Sequence, residues 1–528
     1  MKLVLTLLAL PVSCLLGTSA VAKTFVYCSE GSPSSFNPQL VTDGTSLNTT
    51  HAVYEGLVEF DNGTTNVVPA LAESYTISKD KLIYSFKLRK GVKFHTTKEF
   101  TPKRELNADD VVFSFDRQFS KANPYHSVSG GNYEYFQGME MGKVIKSIGA
   151  KDPMTVEITL NYPEAPFLAN LAMPFMNVLS KEYADQLAAA NKKEFMDLNP
   201  VGTGPFVFQS YAKGSTVRFN AFESYWGKKG NIDKLIFTIT PDSSVRAQKL
   251  KTGECQFMTD PAPADLASLK ADSKLNVISA PGMNVGYLAM NVTKKPFDNL
   301  LVRKAINHAL NRKAYIDAIF LGNATIAKNP FPPSIWSYND AIKDYEYSPE
   351  KAKALLKQAG LADGFETEMW TMPVSRPYNP NGKKLGEMMQ ADLMKVGIKI
   401  KLVSFDWPTY LSKSKLGDHS LIQFGWTGDN GDPDNFLNVL LGCASVETGS
   451  NYSRWCHKPF NDLIVEAKKN TDIKKRTEIY KKAQVIFKEE APWVTLDHSS
   501  VYRAMSKNIK GYKMDPLGAD IFNKVFVE

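Results

Sequence analysis

Beyond its first 22 residues, the sequence has no apolar run long enough to cross a membrane. A spanning helix needs about 20 consecutive apolar residues, so an integral membrane protein is not expected. The first 22 residues differ, because Lys2 precedes an apolar stretch that ends before Ala20-Val21-Ala22, an A-x-A cleavage signal. They predict a signal peptide, export to the periplasm and a mature chain that begins at Lys23. Cys14 could instead carry a lipid, but Pro11-Val12-Ser13 before it lacks the leucine expected there.

The sequence also lacks blocks of charge of one sign. Its 63 Lys and Arg residues are interleaved with 55 Asp and Glu residues, and the formal net charge is only +8. Nucleic-acid-binding surfaces usually need clustered basic residues. Nucleic acid is therefore not an expected partner of this protein.

Catalytic and metal-binding motifs are missing as well. The sequence has no GxSxG, P-loop, GxGxxG, HExxH or CxxC segment, and its 7 histidines are isolated from one another. No metal and no cofactor are predicted, because single histidines rarely hold a metal without a paired ligand. These absences favour a binding protein over an enzyme, and a secreted hydrolase whose triad assembles in space is a distant alternative.

Cysteine is scarce, and its count is informative. Of 5 cysteines, Cys14 lies in the predicted leader, which leaves four in a compartment where disulfides persist. Two disulfides are expected, with three possible connectivities. We favour Cys443–Cys456, which closes a short local loop, together with Cys28–Cys255, which ties the N-terminal strand to a distant segment.

What the sequence does contain is a length of 528 residues and alternating signals for helices and strands. Single cores rarely grow beyond about 250–300 residues, so at least two domains are expected. Ser348-Pro349 predicts a helix start and Gly360 its end. A second helical pattern runs from Leu385 to Gly397, and alternation over 398–402 then predicts a strand. This order favours an α/β fold with at least partly parallel sheets.

The pattern changes between residues 53 and 198. Segments 82–88 and 155–160 are typical of antiparallel hairpin strands, and a long aromatic stretch contains Gly130-Gly131. No Pro-rich or Gly/Ser-rich linker separates independent modules. We expect an inserted subdomain here, and two lobes joined by short crossing strands that form a hinge.

Several stretches are specific enough to indicate a family. They are YEGLVEF at 54–60, LAESY at 71–75, LRKGVKFH at 88–95, ADDVVFSF at 108–115, PVGTGPF at 200–206, YWG at 225–227, MPVSRPYNP at 372–380 and GWTGDNGDPDNF at 425–436. With these stretches in this order, the whole mature chain resembles the peptide and nickel family of periplasmic solute-binding proteins, above all its dipeptide-binding members.

The resemblance implies a two-lobed periplasmic-binding-protein fold, in which a ligand is captured in the cleft and delivered to an ABC importer in the inner membrane. The chain would act as a monomer. The implied segments are a discontinuous lobe I at 23–57, 200–284 and 500–528, an inserted subdomain at 58–199 and a lobe II at 285–499. The disulfides of the family match the two pairs favoured above.

The resemblance also implies how a peptide is held. Arg376 would bind the peptide carboxylate, and Asp429 would bind its ammonium group. Both charges must be paired, because a zwitterion in a closed cleft loses water at both ends, and arginine can grip a carboxylate with two parallel hydrogen bonds. Backbone hydrogen bonds and aromatic walls would come from the remaining positions, Thr42, Pro377, Tyr378, Trp426, Thr427 and Gly428.

Simpler explanations exist for some of these residues. Arg376 lies among turn-forming residues and could be an exposed loop arginine. Asp429, Asp432 and Asp434 lie in a loop without EF-hand spacing, so a turn with one binding carboxylate is expected rather than a calcium site. Trp426 could equally be a core aromatic.

The identity of the ligand is less specific than the family. Compared with dipeptide-binding members, Asp43 beside Thr42 would add a carboxylate near the ammonium end of the ligand. Members of this subgroup also bind glutathione and heme. We rank dipeptides first, glutathione second and heme third, since heme needs an axial ligand or an open apolar slot and no histidine falls in the matched binding segments.

Overall fold

The computed structural model describes residues 22–448 and 450–528. Cys14 and all but the last residue of the predicted leader therefore lie outside the described residues. The described chain is a mixed α/β structure with one 12-stranded sheet, one 4-stranded sheet and two 2-stranded sheets. The predicted fold class is confirmed. None of the helices in these ranges combines the length and the apolar character that a bilayer crossing requires.

The strands are numbered in chain order. They are β1 (Thr24–Ser29), β2 (Val58–Phe60), β3 (Val67–Pro69), β4 (Ala72–Ile77), β5 (Ile83–Leu88), β6 (Ile145–Asp152), β7 (Thr155–Leu160), β8 (Phe206–Ala212), β9 (Thr216–Ala221), β10 (Lys234–Ile239), β11 (Phe257–Thr259), β12 (Leu275–Pro281), β13 (Asn284–Met290), β14 (Ala324–Ile326), β15 (Phe365–Trp370), β16 (Ile398–Val403), β17 (Leu421–Thr427), β18 (Trp493–Ser506), β19 (Ile509–Lys510) and β20 (Phe526–Val527).

The α-helices are numbered in the same way. They are α1 (Gly44–Thr50), α2 (Ala108–Phe119), α3 (Glu134–Gly138), α4 (Met141–Val144), α5 (Phe167–Leu171), α6 (Lys181–Ala189), α7 (Phe195–Leu198), α8 (Ser243–Thr252), α9 (Leu266–Ala271), α10 (Leu300–Ala309), α11 (Arg312–Tyr315), α12 (Pro349–Gln358), α13 (Gly382–Met394), α14 (Trp407–Leu416), α15 (Pro433–Leu441), α16 (Ala444–Thr448), α17 (Lys458–Lys469) and α18 (Ile473–Glu490). Short 3-10 turns occupy Pro38–Leu40, Val128–Gly130, Pro174–Met176 and Pro263–Asp265, and Ile316–Phe320 is a π-helix.

The large sheet has two halves that share strand β18. Its spatial order is β16-β15-β17-β13-β18-β11-β1-β10-β9-β8, and β12 and β14 also pair with β18. Residues of β18 up to Ser499 pair with β13 and β14, whereas residues from Ser500 onward pair with β12 and β11. We call β1 and β8–β12 the first half-sheet and β13–β17 the second half-sheet. The chain passes between them along β18 and in the short connection from β12 to β13.

The four-stranded sheet is antiparallel, in the order β4-β5-β7-β6. The two predicted hairpin strands are its central pair, with Ile83 opposite Thr159 and Phe86 opposite Val156. Alternate side chains of β5 and β7 are buried, as the two-residue period of a strand with one covered face requires. The strand predictions at 82–88 and 155–160 are confirmed.

Both helices expected from capping signals are present. The Ser348 hydroxyl accepts the Lys351 N–H at 3.2 Å at the start of α12, and Gly360 follows its end with φ 78°. After α13 the chain turns at Gly397, with φ 88°, into β16, which pairs in parallel with β15. The predicted helix and strand, α13 and β16, therefore form a βαβ unit together with β15.

Both expected disulfides are confirmed. Cys28–Cys255 joins Cα atoms 5.9 Å apart, and Cys443–Cys456 joins Cα atoms 4.7 Å apart. The first bridge lies in a small apolar cluster between β1, α8 and α9. A larger core joins the first half-sheet to the four-stranded sheet, and another fills the space between the second half-sheet and helices α10, α12 and α13.

Candidate ligand-binding site

A cavity of about 210 Å³ lies between segments that follow strands of both half-sheets. One water needs roughly 10–15 Å³ of such volume, so the cavity can hold a small organic ligand. Among the described residues, no group of three or more His, Cys, Asp or Glu side chains is arranged to hold a metal ion. Seven of the eight predicted ligand-binding residues line the cavity, namely Thr42, Arg376, Pro377, Tyr378, Trp426, Thr427 and Asp429.

The sheet topology explains why these residues meet. Glu30 follows the end of β1, Arg376 lies in the segment after β15, and Asp429 lies just after β17. Strand β1 is parallel to β10 and β11, and β15 is parallel to β17. In open α/β sheets, ligands bind beyond the carboxyl ends of parallel strands, because the loops there converge on one crevice.

The Arg376 side chain is only 8% exposed. Its Nη1 donates to Oε1 of Glu30 at 2.7 Å, and its Nη2 donates to Oγ1 of Thr45 at 2.7 Å. Nη1 also donates to the carbonyl of Ser375 at 3.2 Å, and the guanidinium lies 5.1 Å from the centroid of the Trp407 ring. The alternative of an exposed loop arginine is wrong.

Glu30 is buried beside this guanidinium. Its Oε1 also accepts the Thr45 hydroxyl at 2.6 Å, so Glu30, Thr45 and Arg376 form a closed set of hydrogen bonds that we call the Arg376 triangle. Burial alone would raise the pKa of Glu30, but the charge of Arg376 and the bond from Thr45 outweigh it and hold this pKa at about 2. Glu30 is therefore ionised throughout the physiological range.

Asp429 lies in a different environment. Its Oδ2 accepts the Tyr135 hydroxyl at 2.8 Å, and its backbone N–H donates to Oδ1 of Asn435 at 2.9 Å. Burial raises the pKa of Asp429 to about 7, and no cation contributes to lowering it. The Tyr135 ring is held in place by stacking on Phe175, with centroids 5.5 Å apart.

Two aromatic residues form walls of the cavity. The Tyr378 ring lies against β17 at Gly425, where any Cβ would overlap the ring, so only glycine allows this approach. Trp426 is buried, and its Nε1 donates to Oδ1 of Asn435 at 2.9 Å. Trp426 thus belongs to the core and lines the cavity at the same time.

Gly428 is placed differently from the other predicted residues. Its N–H donates to the Met283 carbonyl at 2.7 Å, and a Cβ on it would lie 2.7 Å from the Phe436 ring. Glycine is needed here for close packing, and its N–H is already used within the protein. Its neighbour Thr427 packs against Gly518 of the C-terminal segment.

Asp43 lines the cavity, and its carboxylate is bonded within the protein. Asp43 caps α1, where its Oδ1 accepts the Ser46 N–H at 3.0 Å, and the same oxygen accepts Nε1 of Trp407 at 3.3 Å. Because the Trp407 ring packs on Arg376, Asp43 lies near the Arg376 triangle, and its charge also acts on Tyr135. Its effect on the ammonium end of a ligand stays a prediction. The Thr42 hydroxyl also has a partner, Oε2 of Glu134, at 3.4 Å.

Four residues of the site were not found from the sequence: Glu30, Thr45, Tyr135 and Trp407. Tyr135 belongs to the aromatic stretch that predicted only a subdomain. Glu30 and Thr45 follow a strand and begin a helix, which is a weak signal for a site. Their partner Arg376 is 346 and 331 residues away along the chain, so no local pattern could indicate the pairing.

Comparison with known proteins agrees with this geometry. The family of bacterial extracellular solute-binding proteins, family 5 middle region, matches residues 66–448. The chain is 53% identical over 529 residues to a dipeptide-binding protein of Escherichia coli strain K12, covering 100% of this chain and 98% of that protein. It is 48% identical over 511 residues to heme-binding protein A of Haemophilus influenzae, covering 97% and 93% of the two chains.

A solved structure gives the same result for the fold. The ABC transporter-associated periplasmic binding protein DppA of Helicobacter pylori, in complex with the peptide STSA, matches with a TM-score of 0.93 at 42% identity. The match covers 96% of this chain and 98% of that one. The protein belongs to family 5 of the bacterial extracellular solute-binding proteins.

Proposed function

We propose that this protein captures short peptides, in the first place dipeptides, and delivers them to an ABC importer. The observation that carries the proposal is that one cavity contains both a buried guanidinium, Arg376, and a carboxylate without a cationic partner, Asp429. A dipeptide zwitterion offers the complementary pair of charges. Relatives named for dipeptide binding and a peptide-bound structure support the same ligand class.

Arg376 has donors left for a ligand. A guanidinium carries five N–H groups, and three of them are directed at Glu30, Thr45 and the Ser375 carbonyl. Of the other two, one is within reach of the Tyr378 hydroxyl, and these donors would bind a peptide carboxylate. Asp429 would accept hydrogen bonds from the ammonium group, and Tyr378 and Trp426 would flank the peptide. We assign supporting contacts to Thr42, Pro377 and Thr427, which line the cavity, and not to Gly428, which does not.

We infer that the two half-sheets are the cores of two lobes that close around the peptide. Two observations support boundaries near 284 and 500: β18 changes partners between Ser499 and Ser500, and β12 gives way to β13 between Pro281 and Asn284. These two short crossings would form the hinge. The lobes would comprise 23–57, 200–284 and 500–528 for lobe I and 285–499 for lobe II, with 58–199 as the inserted subdomain.

The cellular role follows from the proposed ligand and the family. We infer that the leader directs export to the periplasm and is cleaved before Lys23, without lipid attachment at Cys14. A monomer would meet its permease at the inner membrane. The protein would return its ligand unchanged and catalyse no reaction.

Heme is the third candidate, after glutathione, and one observation favours it. His51 lines the same cavity, and burial lowers its pKa to about 4, so its imidazole is neutral as iron ligation requires. One relative is named a heme-binding protein. The pair of Arg376 and Asp429 favours a zwitterion over heme. Glutathione carries both an ammonium group and carboxylates, so it ranks between dipeptides and heme.

The test is calorimetric titration of the ligand-stripped mature protein with alanyl-leucine, N-acetyl-alanyl-leucine, glutathione and heme. Mass spectrometry then examines the recovered ligand. Alanyl-leucine should bind saturably and return intact. Acetylation should weaken binding by about 2–5 kcal/mol, because it leaves Asp429 buried without a cation. Heme or glutathione binding alone would change the ligand but keep the role, whereas cleavage products would contradict it.

Asp429→Asn provides the matching variant, and it should lose most of the difference between alanyl-leucine and its acetylated form. Asp515→Asn is the control, because Asp515 lines the same cavity, is 7% exposed and has a pKa that burial raises to about 6. It should bind like the unmodified protein. Equal losses in both variants would contradict the assignment of Asp429.

A further inference from the structure

Arg376 already has an anionic partner within the protein. Glu30 and Thr45 belong to the segment after β1, at the first half-sheet, whereas Arg376 follows β15 of the second half-sheet. The hydrogen bonds of the Arg376 triangle are therefore contacts between the two half-sheets as well as contacts within the cavity wall. A ligand carboxylate that reaches Arg376 must share it with Glu30.

The buried arginines behind the triangle are compensated by carboxylates of the protein without a ligand. Arg503 donates to Asp520 at 2.6 Å and to Asp260 at 3.0 Å, and all three side chains are less than 10% exposed. Arg246 is also buried there and donates to the carbonyl of Asp260 at 3.2 Å. With the triangle included, three arginines lie among at least as many carboxylates: Arg246, Arg376 and Arg503 face Glu30, Asp260 and Asp520, and Asp43 adds a further carboxylate near Arg376. A ligand carboxylate would arrive as an additional, uncompensated anion.

We propose that Glu30 is a resident counter-ion that positions Arg376 and reduces the preference of the site for a ligand with a free carboxylate. The inference rests on the proposed function, because it assumes that the C-terminal end of a peptide reaches Arg376. Glu30 holds the guanidinium across the cleft, in the wall of the cavity. At the same time it offsets the positive charge that would otherwise draw in an anion.

With this arrangement, the charge at the C-terminal end of the peptide should contribute less to binding than the charge at its N-terminal end. A neutral C-terminal amide can accept hydrogen bonds from Arg376 without repulsion from Glu30, whereas a carboxylate gains attraction to Arg376 and meets repulsion from Glu30. Asp429 has no such counter-ion. Amidation of the peptide is therefore expected to weaken binding less than acetylation does.

The first test needs no variant. Calorimetry compares alanyl-leucine, alanyl-leucine amide and N-acetyl-alanyl-leucine on the intact mature protein. The amide should lose less affinity than the acetylated peptide. An amide that binds as weakly as the acetylated peptide, or more weakly, would overturn the proposal.

The second test changes Glu30 itself. In Glu30→Gln the shape is kept and the charge removed, so the preference for acid over amide should rise about tenfold or more, as expected for loss of a repelling charge a few ångströms away. Glu30→Asp keeps the charge and should restore the original preference. Glu55→Gln is the matched control, since Glu55 is a buried glutamate of the same cavity bonded to Thr203, Tyr225 and Trp226.

An unchanged acid-to-amide ratio in Glu30→Gln would overturn the counter-ion role, even if total affinity falls, because a purely structural residue would affect both ligands alike. Solution X-ray scattering of the ligand-free protein gives a readout that does not depend on peptide binding. Loss of the triangle should enlarge the radius of gyration in Glu30→Gln, and an unchanged radius would contradict the link across the cleft. If no peptide binds the intact protein, the proposed function fails, and the scattering comparison still tests the link.

Discussion

The two charged residues of the cavity differ in how the protein satisfies them. Arg376 is bonded to Glu30, Thr45 and the Ser375 carbonyl, and a tryptophan ring covers its guanidinium. Asp429 accepts one tyrosine hydroxyl and has no cationic partner among residues 22–448 and 450–528, and burial raises its pKa to about 7. The charge of Arg376 is paired within the folded structure, whereas the charge of Asp429 would be paired by a ligand.

The difference separates two contributions that a binding residue can make. A buried charge with an internal partner supports the fold, and its removal leaves the partner unpaired. A buried charge without a partner destabilises the fold when ionised, and a ligand of opposite charge relieves that cost. Arg376 and Asp429 should therefore respond in opposite ways to substitution and to pH.

The largest expected effect is on stability. Arg376→Met should lower the free energy of unfolding by about 3–5 kcal/mol, because Glu30 is left buried and unpaired. Asp429→Asn should raise it at pH 8 by up to about 4 kcal/mol, because a pKa raised from 3.8 to about 7 means that the ionised form is disfavoured in the fold. Chemical denaturation of the ligand-free proteins measures both.

The sign for Asp429 can be checked by varying pH. The penalty for Asp429 should be absent below about pH 4, grow as the pH rises toward 7 and stay constant above that value. The gain in the free energy of unfolding of Asp429→Asn should follow the same course.

The Glu30–Arg376 ion pair has its own test. The double variant Glu30→Gln/Arg376→Met should recover part of the stability lost in Arg376→Met. Losses of the two single variants that simply add in the double variant would contradict the ion pair.

The next effect is on binding between pH 5 and 8. Below about pH 7 Asp429 is mostly protonated, so a peptide ammonium must displace a proton, and the dissociation constant should rise up to tenfold for each pH unit of acidification. Titration in buffers of different ionisation enthalpy should detect the released proton. Asp429→Asn should bind weakly with no such slope, and an equal slope in that variant would assign the proton to another group.

The smallest effect concerns Tyr135. Tyr135→Phe removes the hydroxyl that donates to Asp429 at 2.8 Å but keeps the ring on Phe175. Loss of one such hydrogen bond costs about 1 kcal/mol, or roughly a fivefold weaker affinity. Tyr125→Phe is the control, because its hydroxyl donates to the Ala184 carbonyl. Equal losses in the two variants would show that the effect is not specific to Asp429.

Local features of the fold were predictable because their signals are local. The cap at Ser348, the turn at Gly397 and the alternation in β5 and β7 each depend on residues within one or two turns of the chain. Cys443 and Cys456 are separated by 13 residues, so their pairing is also a short-range matter. Through the family motifs, the sequence also predicted Arg376 and Asp429 as site residues.

The state of the site residues was not predictable in the same way. The sequence did not indicate that the Asp43 carboxylate caps α1 or that Trp407 donates to it. The sequence left two interpretations of Arg376 open, an exposed loop residue and a ligand contact. It did not indicate that Glu30 is its partner. These outcomes depend on segments that are hundreds of residues apart and meet only when the sheet forms.

The sequence by itself determined the α/β class, the main helix and strand signals, the disulfides and, through its motifs, the family. Each of these is encoded by short-range periodicity, by capping residues, by sequence motifs or, for the disulfides, by the small number of cysteines. Only the tertiary structure decided that Arg376 is neutralised from within while Asp429 is not. Burial, pairing and the resulting pKa depend on which side chains the two half-sheets bring within hydrogen-bonding distance, and that distance is a property of the assembled fold.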